Sequence, residues 1–80
     1  MSSSDVRRAM LKLIDALTNE AFRTEAIADE LVRVAEAFSG QPGADAIRDT
    51  ARRQRVRALE LRGQLAALRT EYAVRFLPES

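Results

Sequence analysis

The side chains with the most chemical reach are arginines. Arg48, Arg55, Arg62 and Arg69 recur at every seventh position, and Arg52, Arg53 and Arg57 make the stretch 48–57 strongly basic, with Asp49 its one acid. A guanidinium is always charged and grips phosphate or carboxylate in a planar fork. Such a row has two readings. It can lie on nucleic-acid phosphates, with Arg52, Arg53, Arg55 and Arg57 as the contacts. It can also serve acids on a neighbouring helix of the same chain.

The acids are the other candidates. Asp15, Glu20, Glu25, Asp29 and Glu30 crowd the first half of the chain. Di-iron helix bundles combine Glu with Glu-x-x-His pairs, and the chain has no His. A carboxylate-only magnesium or manganese site needs several acids converging, and of these only Glu20 falls on the core-facing row. With Cys also absent there is no thiolate ligand and no nucleophile–base pair of the usual kinds. No glycine-rich phosphate loop follows a strand, because no strand is expected. Ser2, Ser3, Ser4 and Ser39 sit where serines serve backbone N–H groups. The expectation is a protein with no enzymatic activity, no metal or other cofactor and no small-molecule substrate.

The elements that must position these groups are helices. The chain of 80 residues carries 3 Gly and 2 Pro, clustered near the middle and the end. Between them Ala, Leu, Arg and Glu dominate, the residues that lose least on entering a helix. Ser2-Ser3-Ser4-Asp5 is a helix start, since a serine oxygen accepts a free N–H and an early acid suits the positive end of the dipole. From there Val6, Met10, Leu13, Leu17, Glu20, Thr24, Ile27, Leu31, Val34 and Phe38 step by threes and fours down one side. Alanines flank that row, so the face is wide and low.

Ser39-Gly40-Gln41-Pro42-Gly43 breaks the pattern, with Gly40 placed for the left-handed conformation past a helix end. A second helix follows and has two seams. Ala44, Ile47, Ala51, Gln54, Ala58, Leu61, Leu65, Leu68 and Tyr72 form the first. Val56, Leu59, Gly63, Ala66, Thr70, Ala73 and Leu77 form the second. Pro78 disfavours continuation. Helix one is expected at about 5–38, the loop at 39–43 and helix two at about 44–77, within a single domain spanning 1–80.

Matched lengths and a short connection predict an all-α fold, an antiparallel two-helix hairpin of coiled-coil type. Folding about Gln41 sets Val34 against Ile47, Leu31 against Ala51, Ile27 against Gln54 and Leu17 against Leu65. It also puts polar residues mid-hairpin, where Glu20 reaches Arg62 or Arg57, and makes that middle the soft part. The arginine row then finds acids: Arg48 with Glu36, Arg55 with Asp29, Arg69 with Asp15, and Arg62 over the ring of Phe22. An alanine-rich two-helix seam buries little apolar area, so completion to a four-helix bundle by dimerisation is expected.

The second seam is the candidate partner-binding surface, because Gly63, Ala66, Thr70 and Ala73 let another helix come close. Gly63 also carries the ordinary penalty of a mid-helix glycine, which a packing role would explain. The expected function is a non-enzymatic interaction module, an assembly subunit, adaptor or small chaperone, binding a second copy (a homodimer) or a partner helix. The alternative is a nucleic-acid-associated protein using the arginine-rich start of helix two. A net charge of +1 gives no global field toward nucleic acid or anionic lipid. Arg7-Arg8 resembles a twin-arginine export pair, but Asp15, Asn19 and Glu20 interrupt the apolar region that must follow. No stretch suits a membrane span, and the expected location is cytoplasmic.

Overall fold

The computed structural model describes residues 2–77. It is two long helices packed against each other, α1 (Ser3–Ala37) and α2 (Ala44–Phe76), an all-α helical hairpin. α1 starts slightly earlier than the pattern predicts because Ser2 closes a capping box. Its hydroxyl accepts from the Asp5 N–H at 3.2 Å, and the Asp5 carboxylate accepts from the Ser2 N–H at 3.4 Å. At the other end the Phe38 N–H donates to the Val34 carbonyl and the Ser39 N–H to that of Glu36.

Two glycines make the reversal. Gly40 (φ 79°) and Gly43 (φ 94°) both take positive φ, which L side chains rarely adopt. Gly40 follows expectation. Gly43 had no such assignment, and it caps α2 without a side chain, leaving Asp45 to face the positive helix end. The Leu77 N–H donates to the Ala73 carbonyl at the close of α2. Pro78, expected to stop the helix, and the tail thought to extend the contact surface lie outside the described residues.

The shape governs everything that follows. The hairpin measures 57 × 23 × 14 Å, and its radius of gyration of 17.9 Å far exceeds the ~12 Å of a compact chain this long. It is two helices wide and one thick. Only the line where the helices meet can exclude water, and both broad faces stay wet.

On α2 that line is the expected first seam. Ala44, Ala51, Ala58, Leu61 and Leu65 are buried, and Ile47, Gln54, Leu68 and Tyr72 are half-buried. On α1 the expectation needs correction. The buried row is Ala21, Thr24, Ala28 and Ala35, while Leu13, Ile27, Val34 and Phe38 are exposed. Alanines on both helices let the backbones approach closely, and a bulky side chain on the same line would hold them apart. α1 is therefore rolled so that its low row faces α2 and its tall row stands beside the contact.

The middle is only in part the polar layer expected, since Thr24 is buried there but Glu20 is not. Glu20 is carried to the flank, and Ala21, Thr24 and Leu61 fill the space instead. The Thr24 hydroxyl donates to the Glu20 carbonyl one turn back at 2.8 Å, so burial leaves it satisfied. Leu61 and Leu65 are the largest fully buried side chains.

Candidate interaction surfaces

One broad face carries the arginine row. Arg55 reaches Asp29 at 3.4 Å, and Arg62 pairs with Glu25 while its guanidinium lies 5.7 Å from the centre of the Phe22 ring. The Arg55–Asp29 pair and the Phe22 contact are as expected. Arg48 instead bonds Asp45 on its own helix at 3.0 Å, although Glu36 lines the same hollow. An acid one turn away needs no reach across the groove. Among the described residues Arg69 makes no ion pair with Asp15. Beneath the guanidinium groups run two shallow hollows of about 280 and 270 Å³, floored by Ala28 and Ala58 in one and Ala35 and Ala51 in the other. The stems of Arg55 and Arg62 cover alanine while the heads meet acids and water.

The pairing bears on the nucleic-acid candidates. Arg52 bonds Asp49 at 3.2 Å, and Arg57 lies between Glu20 at 3.5 Å and Glu60 at 3.7 Å. With Arg55 on Asp29, three of the four have carboxylate partners, and Arg53 donates to the Thr50 hydroxyl at 3.0 Å. Glu20 takes Arg57 rather than Arg62, because both sit on the face opposite the arginine row. These pairs are exposed and individually weak, worth about 0–1 kcal/mol each.

The other broad face is apolar along α1 and polar along α2, where Thr50, Arg57, Gln64 and Glu71 lie. Leu13, Ile27 and Val34 repeat by seven with Glu20 among them, and Ile27 is 51% exposed. Half-buried Leu17 and Leu31 border the row on its inner side, and Ala9, Ala16 and Ala37 lie exposed on its outer side. The sequence reading assigned this row to the intramolecular core. Its signal was present all the same: α1 has three apolar rows per heptad, and one partner helix covers only two.

The proposed outer seam runs along the back edge of α2, with Leu59 also lining the hollow between Arg55 and Arg62 on the arginine face. Val56, Leu59, Gly63, Ala66, Thr70 and Leu77 are exposed and Ala73 is half-buried; Leu59 is 72% exposed. A methyl group added at Gly63 would meet nothing within 4 Å. No close approach inside the hairpin requires glycine there.

At the open end the Arg7 Nε donates to the Tyr72 hydroxyl at 2.8 Å, and Tyr72 stacks at a tilt on Phe76 with centroids 5.2 Å apart. This ties the start of α1 to the end of α2. Among the described residues no three carboxylates gather closely enough to hold a metal ion, and no helix is long and apolar enough to cross a membrane. No protein-family model matches the chain, and no curated protein or solved structure matches it either.

Proposed function

We propose that the chain is a non-enzymatic protein–protein interaction module, an assembly subunit, adaptor or small chaperone. It presents the outer seam of α2 to another helix, from a second copy or from a partner protein, and dimerisation completes a four-helix bundle. Its lack of cysteine suits the cytoplasm, where thiol chemistry gives no stability.

The observation that carries the reading is the back of α2. Small and apolar residues run along it at helical spacing, and Gly63 has open space over its Cα rather than a neighbour within the hairpin. A helix docking there would approach closely over Gly63 and Ala66 and gain apolar contact from Val56, Leu59 and Leu77.

The test is site-specific photocrosslinking in cells that make the protein. A photoreactive side chain at Leu59 is expected to give one discrete adduct, whose mass says whether the neighbour is a second 8.9 kDa chain or another protein. The same side chain at Asn19, on the back of α1, is the control. No discrete adduct at Leu59, or equal adducts at both positions, would count against the seam.

A further inference from the structure

We propose that the broad face of α1 bearing Leu13, Ile27 and Val34 is the self-association surface, and that a second copy of this chain covers it. The inference rests on the reading of the chain as an association module. It assigns the second copy to α1 and leaves the back of α2 for a different partner.

Area is the first argument. The chain exposes 5911 Å², roughly 1,100 Å² more than the ~4,800 Å² expected of a compact monomer of its mass. A stable dimer covers about 800 Å² on each partner. The excess is of the size that a second copy removes, and the tallest apolar row on a broad face is that of α1, broken once by Glu20.

Pattern is the second argument. α1 is apolar on the two rows facing α2 and on the third row beside them, the width used inside helical bundles. The matching row of α2 is Thr50, Arg57, Gln64 and Glu71, which is polar. Each hairpin thus has one helix wanting a second neighbour, and a copy of the chain supplies an identical wide helix. Two-fold pairing of a patch with itself is the commonest way such surfaces close.

Charge and size complementarity are the third. The Glu20–Arg57 pair makes the centre of the face neutral, so two copies do not repel. Among the described residues Arg23 pairs with no carboxylate. An antiparallel two-fold pairing of α1 with α1 sets Glu20 against Arg23 of the second copy. The same register sets Ala16 against the second copy's Ile27, Ala9 against its Val34 and Val6 against its Ala37, small against large, while Leu13 falls opposite its Glu30, which is paired with Arg33 on its own helix.

The experiment is absolute mass by light scattering over a wide concentration range at physiological salt. The expected mass is twice 8.9 kDa. Ile27→Glu is expected to weaken the dimer at least about a hundredfold, because it buries two unpaired carboxylates. Leu59→Glu, on the back of α2, should leave it unchanged. A second measurement does not depend on Ile27→Glu folding. Because the chain has no cysteine, Ile27→Cys and Leu59→Cys each introduce a single thiol. In the dimer the thiol at position 27 should be alkylated at least about tenfold more slowly than that at 59, since it reacts only through an opened dimer. A monomer at all concentrations, a dimer broken by Leu59→Glu but not by Ile27→Glu, or equal thiol reactivities would each overturn the proposal. A monomer would also remove the self-association arm of the proposed function, whereas the Leu59 photocrosslink tests the α2 seam by itself, so a failure of the α1 face and a failure of the α2 seam are told apart.

Discussion

The two broad faces of the hairpin are built from the same two helices and solve the same problem differently. A slab one helix thick leaves both faces wet, so each must be either made polar or covered. The arginine face is made polar from within: Arg55 and Arg62 lay their stems over the alanine groove and turn their charges to Asp29 and Glu25. On the opposite face α2 is polar, with Thr50, Gln64 and Glu71, and α1 has one comparable device, the Glu20–Arg57 pair, but otherwise presents Leu13, Ile27 and Val34 to water. Of the two broad faces, only the arginine face is closed from within the hairpin.

The comparison breaks most completely where both faces share support. Leu61→Ala removes one of the two largest fully buried side chains and is expected to cost about 2–5 kcal/mol, read as a lower midpoint in urea. Ala28→Leu separates the faces next. Ala28 is buried on the central line, so the larger side chain should push the helices apart, cost about 1–3 kcal/mol and disturb the Arg55–Asp29 pairing. Ile27→Leu, on the open face, should stay within about 1 kcal/mol in the same titration. Destabilisation of similar magnitude in both cases would mean that the roll of α1 has been misassigned.

Smaller effects sharpen the picture. Gly63→Ala should raise stability by about 0.5–1 kcal/mol, because the added methyl meets open space and the backbone loses less entropy. If the same change weakens the Leu59 photocrosslink, Gly63 is there for the neighbour and not for the hairpin. Arg55→Gln should cost at most about 1 kcal/mol, a loss that shrinks as sodium chloride is raised toward 1 M. Smallest of all, Arg52→Gln with Arg53→Gln should leave binding to duplex DNA at physiological salt unchanged. A steep salt dependence softened by those changes would restore the nucleic-acid reading.

Much of the architecture was readable from residue order because it depends on local chemistry. The serines and Asp5 start α1, Gly40 turns the chain, and the first seam of α2 steps at helical intervals down one side. The roll of α1 was not readable in the same way. Its tall row (Leu13, Ile27, Val34) and its low row (Ala21, Ala28, Ala35) flank the shared row of Leu17, Thr24 and Leu31, and periodicity ranks the tall one first because it carries more apolar surface. What decides between them is the distance between backbones, which depends on the facing alanines of α2. Glu20 moved with that roll, from the centre of the hairpin to its flank, and so exchanged Arg62 for Arg57.

Sequence alone determined that this chain makes two helices, where it turns and which side of α2 faces inward, since capping, glycine φ preference and the helical spacing of the first seam are properties of short segments. Only the tertiary structure decided which side of α1 is left over. Close packing rewards the row that lets two backbones approach, and that row is defined by both helices together.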